Sequence, residues 1–300
     1  TVDDVAAMQD GATLIATMLA HKYPDVVAKL NEKNITSFAM ELVPRISRAQ
    51  SMDVLSSQAA VAGYKAAIMG ADLSKGFFPM LTTAAGTIRP SKVIVIGVGV
   101  AGLQAIATAK RLGAIVEAYD VRPETKEQIE SLGAKAIQLS INATGEGGYA
   151  RELTDEEKAQ QQQELADYLA TADVLITTAA VPGRPAPKII PESTIEGMKA
   201  GAVIIDLAAE SGGNCTVTQP GETITHSDVI IHAPLNVASQ VPMHASEMYA
   251  KNLVNFITPM FVEGEFKPDF EEDEVIQGAL LTRDGKIMHE ATREQLEGEA

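Results

Sequence analysis

The chain has 300 residues, a length that accommodates two domains with cores of their own. Its formal net charge of −16 leaves no basic stripe for a nucleic-acid backbone, and its small acidic clusters read as solvated surface. The single cysteine, Cys215, excludes an internal disulfide, fits a reducing compartment and reads as a small buried residue; the five histidines show no metal-ligand spacing, so no metal is expected.

The chain opens on Thr1-Val2-Asp3-Asp4 rather than Met, which reads as a fragment or a processed product. Residues 1–57 read as α/β: apolar runs at 12–19 and 35–40 predict strands, with a helix over 25–33 between them. The stretch 44–57 sets Arg45, Gln50, Asp53, Ser56 and Ser57 in an apolar neighbourhood. A long helix is predicted from about residue 49 through Gln58, Ala62 and Ala67, which puts Gln50, Asp53 and the Ser56–Ser57 pair roughly on one face. Such a face suits a carboxamide, which presents both N–H₂ and C=O. A capping network, with Asp53 paired to Arg45 or Arg48 and the serines bonding backbone, explains the same spacing.

After a linker at 83–90, strand and helix alternate. Residues 92–104 predict a buried strand, a Gly-rich turn and a helix, with Gly97, Gly99 and Gly102 in the G-x-G-x-x-G spacing. Gly97 serves the tight turn, Gly99 lets the backbone approach a pyrophosphate, and Gly102 lets helix and strand pack closely. The helix N-terminus offers free N–H groups to phosphates. A second strand at 114–120 ends in Asp120, about twenty residues past the glycines, where a carboxylate binds a ribose. That acid favours NAD over NADP, because it would face the 2′-phosphate. Arg122, two residues on, either pairs with a phosphate or is solvated.

Further strands are predicted at 135–139, 173–178, 202–207 and 229–232, which with the intervening helices argue a parallel sheet covered on both faces. The long loop at 140–150 is either a mobile lid or plain surface. The 177–187 and 206–214 loops follow strand ends and form the far wall of a cofactor cleft. Residues 243–260 read as a long helix and 283–286 as a hairpin turn. No signal peptide or membrane span is visible: the longest uncharged stretch, 93–109, is broken by glycines that a strand–turn–helix explains. The division expected is 1–57 with 243–300 as a first domain and 58–242 as the NAD-binding domain.

Residues 44–57, 97–113, Gly147-Gly148-Tyr149-Ala150, 182–187 and 206–214 closely resemble signature segments of the NAD(H)-binding component, domain I, of proton-translocating nicotinamide nucleotide transhydrogenase. The resemblance covers nearly the whole chain. It implies an α/β fold of two Rossmann-like domains with parallel sheets joined by long helices, and a homodimer. It implies hydride transfer between NAD(H) and NADP(H) held on a separate domain III, coupled to proton movement through a membrane domain II. The protein would then be cytoplasmic and peripheral at the cytoplasmic face of the inner membrane.

By the same resemblance, Arg45, Gln50, Asp53 and Ser56 position the nicotinamide. Gly97, Gly99, Val100, Ala101 and Gly102 contact the cofactor at the turn, and Asp120, Val121 and Arg122 its adenosine end. Gly148 and Tyr149 lie on a loop that closes over it. Thr178, Ala179, Ala180, Pro182, Leu207, Ala208, Glu210 and Asn236 complete the cofactor-binding set. Two features depart from the family: its opening strands are missing before Thr1, and Pro234-Leu235 differ from the usual residues before Asn236.

Alanine dehydrogenase is the related alternative. It needs a Lys and a His in its first domain for proton transfer; here the Lys-bearing segment is absent, 13–23 offers only His21, and Glu210 replaces an Asp. A non-catalytic NAD-sensing module would not need the 45–56 cluster. Hydride exchange between two nicotinamides needs only close approach and exclusion of water, not a general acid or base.

Overall fold

The structure is a computed structural model that describes residues 1–140, 154–180 and 184–298. It resolves into two units, Thr1–Gln58 with Pro242–Ala300 and Ala59–Val241. The first opens with α1 (Val2–Ala7), started by a capping box between Thr1 and Asp4. It continues through β1 (Thr13–Ala16), α2 (Pro24–Glu32) and β2 (Thr36–Ala39), then 3₁₀ turns at Met40–Leu42 and Ser47–Met52. Helix α3 (Val54–Leu73) carries the chain into the second unit.

That unit begins with a hairpin, β3 (Leu81–Thr83) and β4 (Gly86–Ile88), and goes on with β5 (Lys92–Ile96), α4 (Val100–Arg111), β6 (Ile115–Tyr119), α5 (Thr125–Ser131) and β7 (Lys135–Ala136). Then come α6 (Asp155–Leu169), β8 (Val174–Thr177), α7 (Glu192–Glu196), β9 (Val203–Asp206), β10 (Thr223–His226) and β11 (Val229–His232). The chain returns to the first unit as α8 (Pro242–Ile257), the hairpin β12 (Phe261–Val262) and β13 (Glu265–Phe266), α9 (Glu274–Ala279), β14 (Leu280–Arg283), β15 (Lys286–Ile287) and α10 (Glu290–Gly298).

The sheet of the second unit runs β10-β11-β9-β8-β5-β6-β7. All neighbours are parallel except β10 and β11. Read from β7 to β11, the parallel strands follow the order of a doubly wound fold, with the switch point between β5 and β8. Side chains alternate across it as strand geometry requires. Val93, Val95, Val174, Ile176, Val203 and Ile205 enter one core with Ile106 of α4. Ile94, Ile96, Leu175 and Ile204 enter the other with Leu165 and Leu169 of α6. Two covered faces explain why these strands are almost uniformly apolar.

The first unit has a smaller sheet, β1-β2-β14-β15. Only β1 and β2 are parallel; β14 runs antiparallel to β2, and β15 to β14. The parallel arrangement expected of both units therefore holds in the second and gives way to a mixed sheet in the first. Several predicted elements also shrink: the strand expected at 12–19 spans Thr13–Ala16 and that at 135–139 spans Lys135–Ala136. The expected linker at 83–90 is largely hairpin.

Candidate functional site

In the second unit, β5 runs into Gly97, whose φ is +89°. A Cβ there would lie 2.9 Å from both Thr178 Oγ1 and Ala179 N, so only glycine fits the turn. Thr178 Oγ1 donates to Gly97 O at 2.8 Å. A Cβ on Gly102 would collide with Gly97 O, which is the close helix–strand packing expected of the third glycine. Gly99 is the N-cap of α4 and has open space where a Cβ would stand. The first N–H groups of α4, at Val100 and Ala101, thus face an accessible surface with no helical acceptor of their own.

Asp120 follows β6 and is bound on both oxygens. Oδ2 accepts from Val98 N at 2.7 Å and Arg122 Nη2 at 2.9 Å; Oδ1 accepts from Arg122 N and Nε, each at 2.9 Å. Burial opposes its ionisation, but the Arg122 side chain and the two backbone N–H groups outweigh it and hold Asp120 below the usual carboxylate range. Arg122 is thus neither a plain solvated residue nor a free phosphate ligand. Val121, between them, is 81% exposed.

Thr178 and Ala179 stand behind Gly97, and Ala180 follows them at the surface. Leu207 and Ala208 follow β9, and Glu210 Oε1 accepts from Asn236 N at 2.7 Å, which brings those two predicted residues together. Asn236 sits in the left-handed region at φ +48°. Gly148, Tyr149 and Pro182 lie outside the described residues. The residues passed over in the sequence are Asp206 and Asn214. Both lie in the 206–214 segment that the resemblance covers, but neither is singled out within it; the local signal is an acid ending an apolar strand ahead of Gly212-Gly213-Asn214.

The first unit contains a cleft of about 360 Å³ lined by Pro44, Arg45, Ile46, Ala49, Gln50, Asp53 and Ser56. The predicted continuous helix face is corrected here. Gln50 lies on the 3₁₀ turn, Asp53 sits in extended backbone, and Ser56 belongs to α3. The reason is that Asp53 caps α3: its Oδ1 accepts from Ser56 N at 2.9 Å and its Oδ2 from Ser56 Oγ at 2.6 Å. Arg45, Gln50, Asp53 and Ser56 still meet in one cleft, but Ser57 does not line it: its hydroxyl donates to Asn252 Oδ1 at 2.7 Å. Asp53 pairs with neither arginine. Arg48 forks onto Asp273 at 3.0 and 2.6 Å, and Asp273 caps α9 through Val275 N and Ile276 N. Among the described residues nothing engages the side chains of Arg45 or Gln50. The cleft therefore offers a free guanidinium and a free carboxamide beside an oriented carboxylate and hydroxyl.

Cys215 is buried, and burial first, then Asp206, push its thiol up to about 12, so it carries no reactive thiolate. The fold does gather one histidine with carboxylates: ligand atoms of His226, Glu192 and Glu196 lie within 4.8 Å of one another. His226 Nε2 stands 3.1 Å from Glu192 Oε1. Among the described residues no helix is long and apolar enough to cross a membrane.

A Gly-rich turn after the first strand of a doubly wound sheet, with an acid closing the second, defines the class of dinucleotide-binding α/β proteins. Two sequence profiles narrow the class: that of the alanine dehydrogenase/PNT N-terminal domain matches residues 1–62, and that of the alanine dehydrogenase/PNT C-terminal domain matches residues 66–290. The chain belongs to the alanine dehydrogenase/PNT family. It is 50% identical over 295 residues to an NAD(P) transhydrogenase alpha-subunit polypeptide of Rhodospirillum rubrum, a match covering 96% of this chain and 77% of that one. A transhydrogenase crystal structure from Sinorhizobium meliloti superposes with a TM-score of 0.85 at 42% identity, covering 96% of this chain and 78% of that one. An L-alanine dehydrogenase structure shares the fold, with a TM-score of 0.76 at 23% identity over 99% of this chain and 78% of that one.

Proposed function

We propose that this chain is the NAD(H)-binding component of a proton-translocating transhydrogenase. It passes hydride directly between NAD(H) and NADP(H) bound on a partner domain III, coupled to proton movement through a membrane domain II. The turn at 97–102 takes the pyrophosphate, Asp120 the adenosine ribose, and the cleft at 45–56 the nicotinamide carboxamide. The observation that carries the reading is that cleft: Arg45 and Gln50 are unengaged beside Asp53 and Ser56, a donor and acceptor set matched to a carboxamide. The likeness to the Rhodospirillum rubrum subunit supports it. The cofactor supplies the hydride; these residues orient the ring and exclude water, and no proton has to be moved in this step. The chain acts as a homodimer, peripheral at the cytoplasmic face of the inner membrane.

Stopped-flow mixing of the NADH-loaded chain with NADP⁺-loaded domain III tests this directly. Rapid oxidation of NADH that requires the partner is the expected result. Oxidation of NADH by pyruvate and ammonia without a partner would instead establish a self-sufficient dehydrogenase.

A further inference from the structure

Asp206 ends β9 with its side chain fully buried, and among the described residues no basic group pairs with it. A carboxyl group in that position is tolerated only when its oxygens find hydrogen-bond partners. Five donors supply them. Thr177 Oγ1 and Ala208 N donate to Oδ1 at 3.0 and 3.1 Å. Asn214 N, Cys215 N and Thr218 Oγ1 donate to Oδ2 at 2.8, 3.2 and 2.5 Å. The chain closes so tightly here that a Cβ on Gly213, at φ +83°, would lie 2.6 Å from Asp206 Oδ2.

Asn214 carries this knot outward. It is also fully buried. Its Nδ2 donates to Ala179 O at 2.7 Å and Pro187 O at 2.9 Å, and its Oδ1 accepts from Ala179 N at 3.1 Å. The backbone nitrogen of Ala179 stands 2.9 Å from where a Cβ on Gly97 would lie, and the neighbouring Thr178 Oγ1 donates to Gly97 O. Hydrogen bonds thus tie Asp206 to the Asn214 backbone, the Asn214 side chain to Ala179, and, one residue back along the chain, the Thr178 side chain to Gly97 O of the Gly-rich turn.

We propose that Asp206 and Asn214 are positioning residues for the dinucleotide: Asp206 fixes the 206–218 loop, and Asn214 uses that loop to hold the 178–179 backbone against the turn that receives the pyrophosphate. The inference rests on the reading that this turn binds NAD(H). Neither side chain touches the cofactor. Both act by fixing a surface that must be in place before the phosphates arrive, so removing them weakens binding and leaves the nicotinamide end alone.

The test is calorimetric NADH titration and single-turnover hydride transfer on wild type, Asn214→Ala and Thr218→Val. Asn214→Ala should raise the NADH Kd about tenfold and leave transfer at saturating NADH within about twofold of wild type. Thr218→Val removes a single donor and should move Kd the same way by less; it carries the test if Asn214→Ala fails to fold. An Asn214→Ala protein with a lowered unfolding midpoint and an unchanged Kd would overturn the proposal, since that is the signature of a merely structural residue. Wild type that failed to bind NADH would overturn the reading of the turn, and the inference with it.

Discussion

Asp120 has two claims on one carboxylate. Its oxygens offer about four lone-pair sites, and Val98 and Arg122 already supply four N–H groups. Ribose hydroxyls can enter only if a donor leaves, and the Arg122 side chain, 52% exposed, is the one free to swing. We expect calorimetry to show NAD(H) binding well ahead of NADP(H), and Asp120→Ala to narrow the gap; equal affinities in wild type would refute the role given to Asp120. The pairing also sets an acid dependence. The folded pKa of Asp120 is depressed, so its stabilisation is complete above the unfolded value of about 3.9 and is lost as pH falls through the lower folded value. Because Arg122 is half exposed, Arg122→Ala should cost no more than about 1 kcal/mol near neutrality. That difference should shrink toward acid in urea unfolding measured across pH; a constant difference would rule out the pair as its source. In the first unit, Arg45→Ala should slow hydride transfer by about a hundredfold while weakening NADH binding little, because a misplacement of about an ångström is enough. Poor binding with normal transfer at saturation would count against it.

At the level of elements, the start of α3 decides how the cleft is built. Residues 50, 53 and 56 are spaced as a helix face, and the same spacing suits a capping network. An aspartate three residues before Ser56 is also an N-cap, and that role wins: the carboxylate takes the free N–H of Ser56 and the preceding residues tighten into a 3₁₀ turn. Arg45, Gln50, Asp53 and Ser56 were legible as a polar cluster, but the exclusion of Ser57, turned to Asn252, and the backbone of the cleft were not. Asp53→Ala should lose about 1 kcal/mol of stability, whereas Asp53→Asn caps nearly as well and should keep it. Transfer should be slow in both, and normal transfer in Asp53→Asn would reduce Asp53 to a cap. The six parallel strands of the second unit were readable from apolar runs between helices. Strand β10 was not, because its turn to β11 places Ser227 and Asp228 at φ +48° and +62° without the Asn-Gly or Asp-Gly pair that marks such hairpins. Asp206 was hidden for another reason: its importance lies in five donors scattered from Thr177 to Thr218, which no local spacing reveals.

For the whole molecule, the exposed hairpin of β3 and β4 bears on assembly. Every residue of both strands is exposed, Ile88 is 48% and the adjoining Met80 64% exposed, and nearby Phe77 is half uncovered. A lone two-stranded hairpin is marginal in water, and an apolar patch of this kind marks an interaction surface. We expect the proposed homodimer to form here. Light scattering should find a dimer for the wild type and a monomer for Leu81→Asp combined with Ile88→Asp, with the circular dichroism unchanged. A double variant that remains dimeric would place the interface elsewhere.

The first unit is made of two stretches of chain, and this governs the order in which the molecule can be made. Strand β2 lies between β1 and β14, and the buried hydroxyls of Ser37 and Thr282 meet at 2.6 Å across a separation of 245 residues. At roughly 5–20 residues per second on a ribosome, Thr282 follows Ser37 by about 10–50 s. Over that interval Phe38 and Met40 lack the Phe256, Met260 and Val275 that bury them. The second unit, continuous from Ala59 to Val241, has no such wait. Nascent chains arrested with residue 241 outside the ribosome but residue 280 still inside should therefore yield a protease-resistant core from the second unit and rapid cleavage within the first 58 residues. Protection of those residues in such chains would mean that the opening segment folds without its partner strand.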